Sequence, residues 1–355
     1  MDNLFEKRAR EFKALFGVET PVMNAPMAGV TTPQMAAAVA RAGGLGVLAG
    51  DLLSPEKLQE EIRAFRALSD APFAVNLRVP PKNPSEAGAR ELHDALTPLM
   101  EQMGLPTEYK PAALPDFEAQ IEVLLAEEVP VVCTSFGGLR EVYAEKFEAR
   151  GVTMMGAATC LKEAKVLRSA GCQAIIVQGA EAGGPRLNFE VTDEQSLIGL
   201  SSLIGPAARA SKRLVIASGG IATGAQMAAS LVAGACGCMV GTLLLRTPES
   251  AAHPMHKDIL QYMSDSSLEL TRTFSGRLTR VVPNGLVEAL NQAGVKPAQY
   301  PAHLQVLLPI LRAAVLQDRD DLIEMSAGQS ACYAPFGSTQ AIIEKLAGEC
   351  RTIFA

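Results

Sequence analysis

Two short glycine-rich segments mark a place where this chain could bind an anion. Ser218-Gly219-Gly220 follows the apolar run Leu214–Ala217, and Gly241-Thr242 follows the apolar run Cys236–Val240. Glycines at such points let backbone N–H groups approach a ligand closely. Parallel barrels bind phosphate in this way, after their seventh and eighth strands. The alternative interpretation is two turns that need glycine for their backbone shape alone.

The ends of the predicted strands are rich in amides, hydroxyls and bare backbone. With their neighbours, these positions are Ala25, Pro26, Met27, Asn76, Thr134, Ser135, Phe136, Gln178, Gly179, Gly183, Gly184, Ser218, Gly219, Gly220, Gly241 and Thr242. The charged residues close by are Glu181 and Arg186. The strand ends carry no histidine, no cysteine beside a base and no cluster of carboxylates. A bound cofactor is therefore expected to perform the chemistry.

Histidines elsewhere give a weak metal signal. His253 and His256 lie three residues apart and near Glu249, as in some metal-binding pairs. They follow the last predicted strand, away from the strand ends, so we predict no metal site.

Eight strands that alternate with helices must position these residues. The apolar runs recur at a spacing of about thirty residues, and glycine or proline marks many helix boundaries. The predicted strands are Pro21–Ala25, Leu45–Ala49, Pro72–Leu77, Val129–Thr134, Val152–Ala158, Cys172–Gln178, Leu214–Ala217 and Cys236–Val240. The pattern predicts an α/β fold, a (β/α)8 TIM barrel, with a doubly wound open sheet as the alternative.

Two stretches depart from this alternation. Residues 78–115 are proline-rich and long for a loop, so we expect an insertion after the third strand with its own helix. After Arg246 the alternation stops, and residues 247–355 read as helices and loops that cap the barrel. We therefore predict a barrel over residues 1–246 and a helical extension, packed on it, over residues 247–355. One barrel helix is expected over about residues 193–210.

Composition excludes several classes of function. The net charge is −6 without a basic run, which argues against a nucleic-acid surface. The N-terminus has an amphipathic helix pattern rather than a signal peptide, and glycines divide the longest uncharged stretch. The seven cysteines are scattered without a CxxC pattern, which is typical of reduced thiols. We expect a soluble, cytoplasmic protein with a small-molecule substrate and no nucleic-acid or membrane partner; a homodimer is compatible.

Several segments resemble, in order and spacing, the nitronate monooxygenases, formerly called 2-nitropropane dioxygenases. These are PVMNAPMAGV, AVNL, VQGAEAGG, ASGGIATG and MVGT, followed by residues 247–250, 275–277, 300–301 and 327–330. That family consists of FMN-containing TIM barrels related to flavin-dependent enoyl-acyl-carrier-protein reductases. The resemblance covers nearly the whole chain except the insertion.

The resemblance implies FMN at residues that match the family's binding positions. Met27 and its neighbours would pack on the flavin, Asn76 and Gln178 would hydrogen-bond to it, and the loop glycine Gly183 would approach it through its backbone. Gly220 and the segment Met239–Thr242 would receive the phosphate. The full set is Ala25, Pro26, Met27, Asn76, Gln178, Gly183, Gly184, Ser218, Gly219, Gly220, Met239, Val240, Gly241 and Thr242.

This chain departs from the family at its histidines. The family loop that corresponds to Glu181–Gly184 continues with a histidine, and here that position is Pro185; a second family histidine corresponds to Ser135. Proline cannot exchange a proton, so removal of a proton from a neutral nitroalkane lacks its usual base. A nitronate is already an anion, so its oxidation depends less on a base that removes a proton. Ser135 and Arg186 are the catalytic candidates, with Arg186 expected to help hold the anion.

Three functions therefore stay open. The favoured one is FMN-dependent oxidation of alkyl nitronates, of the propionate 3-nitronate type, with molecular oxygen; family enzymes pass one electron from the nitronate to the flavin. The second is an FMN-dependent NAD(P)H reductase of quinones or enoyl thioesters. The third is a flavin-binding protein without this catalysis.

Overall fold

Eleven strands and thirteen α-helices make up the computed structural model, which describes residues 3–264 and 266–355. Eight parallel strands form the barrel sheet: β1 Val22–Asn24, β2 Gly46–Ala49, β3 Phe73–Arg78, β4 Val131–Ser135, β5 Thr153–Ala158, β6 Ala174–Gln178, β8 Leu214–Ser218 and β9 Gly237–Val240. The remaining strands are β7 Gly184–Pro185, β10 Glu269–Thr271 and β11 Thr279–Val281. Neighbours in the large sheet pair in the order β1-β9-β8-β6-β5-β4-β3-β2, and a parallel bridge from Met23 to Leu45 joins its two ends. The predicted barrel is confirmed, and the open sheet is excluded by this bridge.

The helices follow the strands in the expected alternation. They are α1 Leu4–Phe16, α2 Pro33–Arg41, α3 Pro55–Arg66, α4 Ala89–Gln102, α5 Phe117–Ala126, α6 Glu141–Glu148, α7 Leu161–Ser169, α8 Leu200–Ser211, α9 Gly224–Ala233, α10 Pro254–Ile259, α11 Gly285–Ala293, α12 Ala302–Leu316 and α13 Thr339–Ile353. No helix in the described ranges is long and apolar enough to cross a bilayer.

The expectation of one helix over residues 193–210 is wrong. A 3₁₀ turn occupies Glu194–Ser196, and α8 begins only at Leu200. Both carboxylate oxygens of Glu181 accept a hydrogen bond from the Leu200 N–H at 3.0 Å. This acceptor for an unpaired helical N–H explains why α8 begins there.

The seam between β1 and β2 depends on the side chain of Asn24. Asn24 is fully buried, and its Oδ1 accepts from the Val47 N–H while its Nδ2 donates to the Val47 carbonyl, both at 2.8 Å. Backbone bonding at the bridge between Met23 and Leu45, including the bond from Leu45 N to the Val22 carbonyl, accompanies this pair. Because β1 has only three residues, a side-chain amide replaces a missing backbone pair and closes the barrel.

The C-terminal helix α13 completes the outer ring of helices. β9 is followed by a short 3₁₀ turn, Thr242–Leu244, instead of a barrel helix. Ile343 and Leu346 of α13 instead share a buried core with Met227 of α9 and Val39 of α2. The extension is thus packed on the barrel, and its last helix belongs to the barrel wall.

The insertion after β3 and the C-terminal extension form one cap. The helix expected in the insertion is α4, and its Leu92 and Leu96 share an apolar core with Leu286 of α11 and Leu307 of α12. The expectation of only helices and loops after residue 246 is wrong, because β10 and β11 pair antiparallel there. β7, from the loop after β6, adds to β11. The cap is therefore hydrogen-bonded directly to a barrel loop.

We predict that Asn24→Leu lowers the free energy of unfolding by about 2–3 kcal/mol, because it leaves the buried N–H and carbonyl of Val47 unpaired. Urea unfolding of the two proteins measures the difference. The control Asn291→Leu changes an exposed asparagine of α11 and should alter the free energy by less than about 0.5 kcal/mol. Equal effects of the two substitutions would contradict the role given to Asn24.

Candidate active site

The predicted site residues meet at the carboxyl end of the barrel strands. Asn76 lies in β3, and Ser135, Gln178 and Ser218 are the last residues of β4, β6 and β8. The pairing register places Ser218 between Gln178 and Met239. Since all eight strands run parallel, these residues share one end of the barrel, where sites of this fold are built.

The two glycine segments present free backbone donors. Gly219 and Gly220 have φ values of 113° and 69°, a region that side chains disfavour. In the described part of the chain, no group accepts a hydrogen bond from the N–H groups of Gly219, Gly220 or Gly241. A Cβ on Gly241 would lie 3.2 Å from the Ala25 Cβ, so the backbone here is closely approached. Unpaired N–H groups from two adjacent strand ends fit a phosphate.

The N-terminus of α9 is, in contrast, already occupied by protein groups. Thr223 and Gln226 form a capping box, and the Gln226 Oε1 also accepts from the Ala222 N–H at 2.8 Å. The Gly224 N–H donates to Glu349 Oε2 at 3.1 Å. Several donors at the start of α9 are therefore already used, whereas those of the glycine segments are free.

A C-terminal segment, residues 327–330, closes over these glycines. Ser330 Oγ donates to the Gly220 carbonyl at 2.6 Å, and the Gly328 N–H donates to Thr242 Oγ1 at 2.9 Å. A Cβ on Gly183 would lie 2.4 Å from the carbonyl carbon of Ala327, so only glycine fits beside this segment. The segment links both glycine turns and the loop after β6.

The amides of the site differ in their freedom. Gln178 is committed at both ends, because its Nε2 donates to the Pro185 carbonyl and its Oε1 accepts from the Leu187 N–H, both at 3.0 Å. Asn76 Nδ2 has one long contact, 3.5 Å, to Ser135 Oγ. Asn76 and Ser135 thus have more capacity for a ligand than Gln178 has.

Arg186 lies inside the protein instead of facing a ligand. It is 1% exposed, and its guanidinium donates to Ser196 Oγ and to the carbonyls of Gly179, Gln178 and Ser196 at 2.7–3.2 Å. Burial lowers the pKa of Arg186 to about 10. These contacts favour a structural role for Arg186, in place of the anion-holding role expected from the sequence.

Two arginines and two aromatic rings form a cluster at the site, and this grouping was not predicted from the sequence. The guanidinium carbon of Arg277 lies 4.2 Å from the ring centre of Phe136 and 5.2 Å from that of Tyr300. That of Arg78 lies 5.1 Å and 5.5 Å from the same rings. Arg78 also pairs with Asp51 at 2.6 Å. The available signal was the position of Arg78, two residues after Asn76 on the same strand.

Other reactive side chains are engaged elsewhere. Burial raises the pKa of Cys236 to about 12 and also raises that of Cys238, which suits core residues better than nucleophiles. His253 Nε2 lies 2.8 Å from Asp318 Oδ1. His256 Nε2 lies 3.1 Å from the Ser326 carbonyl, and burial lowers the pKa of His256 to about 4.

Known proteins similar to this chain match most of its length. A family model described as nitronate monooxygenase matches residues 10–349. A probable nitronate monooxygenase of Bacillus subtilis (strain 168) is 32% identical over 326 residues, 90% of this chain and 92% of the relative. One of Staphylococcus aureus (strain Newman) is 30% identical over 342 residues, 96% of each chain.

Solved structures agree with this similarity. A nitroalkane oxidase from Streptomyces ansochromogenes aligns with a TM-score of 0.88 at 32% identity, covering 97% of this chain and 99% of its own. FabK from Thermotoga maritima aligns with a TM-score of 0.74 at 25% identity, covering 97% and 96%.

We predict that Gly183→Ala displaces residues 327–330, because the new methyl group would overlap the backbone of Ala327 and Gly328. Thermal stability should fall and proteolysis near residue 330 should accelerate, by about tenfold or more if detachment costs at least 1.4 kcal/mol. The control Gly348→Ala adds a methyl group into open space on α13, where alanine favours the helix. Equal proteolysis of the two variants would contradict the proposed contact.

Proposed function

Because this chain belongs to the nitronate monooxygenase family, it is an oxidoreductase, and we propose that it oxidises alkyl nitronates with FMN and molecular oxygen. The expected substrates are of the propionate 3-nitronate type. The observation that carries the proposal is the combination of free N–H groups at Gly219, Gly220 and Gly241 with a neighbouring loop that bears Pro185 instead of a base. The cytoplasmic location and the homodimer expected from the sequence stay predictions.

The residues at the carboxyl end of the barrel strands, called the barrel mouth below, fit an FMN group. The N–H groups of Gly219, Gly220 and Gly241, with Thr242, would bind the phosphate, because a buried dianion needs fixed donors in place of water. Met27 would pack on the flavin, and its sulfur lies close to the Gly241 turn, 3.4 Å from a Cβ built on Gly241. Asn76 and the remaining Nε2 hydrogen of Gln178 would hydrogen-bond to the ring, and Gly183 would approach it. When bound, FMN would supply the electron acceptor that the side chains of the mouth do not provide.

The proton chemistry of the mouth favours a substrate that is already anionic. Pro185 has no exchangeable proton. Ser135 Oγ lies 3.5 Å from the Leu77 carbonyl and 3.5 Å from Asn76 Nδ2, and no basic side chain among the described residues hydrogen-bonds to it. Neutral nitroalkanes must lose a carbon-bound proton before oxidation, whereas nitronates have lost it in solution. The residues present therefore bind and orient a substrate rather than deprotonate it.

Visible spectra of the purified protein test this function. We expect flavin bands, and we expect anaerobic propionate 3-nitronate to bleach them without NADH. Bleaching by NADH alone would support the reductase instead, and bound flavin inert to both would support a binding protein. Failure to bind added FMN would overturn the proposal.

We predict that Pro185→His creates activity on the neutral nitroalkane. An imidazole at this position could accept the carbon-bound proton, and general-base catalysis contributes about 10²–10⁴-fold. The value of kcat/KM for nitroethane should rise at least about tenfold, while that for ethyl nitronate should change by less than about threefold. Pro185→Ala, which removes the ring without adding a base, is the matched control. If Pro185→Ala raises nitroethane turnover as much, the missing base does not limit this reaction.

A further inference from the structure

The arginine and aromatic cluster described above lies against the barrel mouth. Arg78 ends β3 and pairs in register with Ser135 of β4, and Phe136 follows directly. Arg277 Nη1 donates to the Asn188 carbonyl at 2.8 Å, on the loop that carries Pro185. The next residues of the same cap segment form β11, in which Thr279 pairs with Pro185. Arg277 is thus attached to the loop at the family's histidine position.

The backbone is shaped to place both partners of the main stacking contact. Phe136 has φ 64°, a conformation that is costly for a bulky residue and common at functional sites. Gly276, immediately before Arg277, has φ 78°, and a Cβ there would lie 2.4 Å from the Ala298 carbonyl oxygen. His303 Nε2 donates to the Thr273 carbonyl at 2.7 Å and supports the same turn. The backbone conformations at Phe136 and Gly276 therefore fix the positions of the Phe136 ring and the Arg277 guanidinium.

The two guanidinium groups of the cluster differ in their acidic partners. Asp51 pairs with Arg78 at 2.6 Å, whereas no ion pair to Arg277 is found among the described residues. Glu324 is another acid near Arg78, and burial raises its pKa. Burial lowers the pKa of Arg277. The Nε–H groups of Arg78 and Arg277 are both buried without a hydrogen-bond partner among the described residues.

A guanidinium that is largely shielded from water is costly unless an anion pairs with it. Arg78 has its carboxylate, so Arg277 is the guanidinium with unused capacity. Its planar fork matches two oxygens that share a negative charge, and a nitronate presents such a pair of oxygens.

We propose that Arg277 binds the anionic oxygens of the substrate, and that Arg78, Phe136 and Tyr300 are positioning residues that hold its guanidinium at the mouth. The inference rests on the proposed function for the identity of the anion. It assigns to a cap residue the binding role that the sequence alone gave to Arg186. No proton is transferred, since a guanidinium stays charged throughout.

The test compares Arg277→Gln and Arg277→Lys with the wild-type protein. Turnover of ethyl nitronate gives KM and kcat, and calorimetric titration of butyrate gives a dissociation constant. Butyrate is suitable because its carboxylate is also a planar two-oxygen anion but cannot be oxidised in this way. Arg319→Gln is the control, since it removes a positive charge from the cap at an exposed ion pair with Asp321.

We expect Arg277→Gln to raise both KM for ethyl nitronate and Kd for butyrate by about ten- to one-hundredfold, as loss of a charged hydrogen bond implies. The kcat should change less than about threefold, and FMN content should stay constant. Arg277→Lys should recover part of the affinity, because it keeps the charge and loses the planar fork. Arg319→Gln should match the wild type.

Two results would overturn the inference: unchanged Kd for butyrate in Arg277→Gln, or an equal loss in Arg319→Gln. If Arg277→Gln fails to fold, Arg277→Lys decides by the same titration, and wild-type affinity in that variant counts against a planar-fork contact. A wild type that binds butyrate through Arg277 but never oxidises nitronate would overturn the proposed function and support the anion site. Nitronate turnover with an unaltered KM in Arg277→Gln would support the proposed function and overturn the anion site at Arg277.

Discussion

The structure of the barrel mouth depends on the hydrogen bonds that the buried Arg186 guanidinium donates. The guanidinium donates to carbonyl oxygens at the end of β6 and in the turn before α8. Those carbonyls flank the two ends of one loop, residues 179–199, which carries Glu181, Gly183 and Pro185. Since a buried charge that loses its acceptors costs several kcal/mol, the loop has little freedom to rearrange while Arg186 remains in place. A fixed loop is what lets a glycine backbone and a proline sit at defined positions beside a ligand.

The same loop joins barrel and cap. Its backbone pairs with β11, and the Arg186 N–H donates to the Leu278 carbonyl at 2.8 Å. Residues 327–330 then cross the glycine turns from the other side, and α13 continues into the barrel wall. Barrel, insertion and extension are thus mechanically one unit around the mouth. In such an arrangement, cap residues can contribute directly to substrate binding.

Periodic features of the sequence were predictable, and contacts between distant segments were not. The eight strands, the insertion helix and the glycine turns have local signals in apolar runs, proline and glycine. The start of α8 at Leu200 was not predicted, because the cap that fixes it is Glu181, nineteen residues earlier. The pairing of β7 with β11 and the place of α13 likewise depend on partners about a hundred residues away. Arg186 and Arg277 illustrate the same limit. Proximity in sequence to Pro185 favoured Arg186, whereas the fold buries Arg186 and places Arg277 against Phe136.

The proposed use of the Arg277 guanidinium, where a histidine base would otherwise act, has a physical rationale. A histidine beside the substrate would serve a neutral substrate by removing a proton, and its charge would vary near neutral pH. A guanidinium keeps its charge over that range and gives a constant attraction for anions. With Pro185 on the loop and Arg277 stacked on Phe136, the proposed site would select substrates by their charge before electron transfer. The arrangement gains strength from the cap, because a charge shielded from water attracts its partner more strongly than one at the surface.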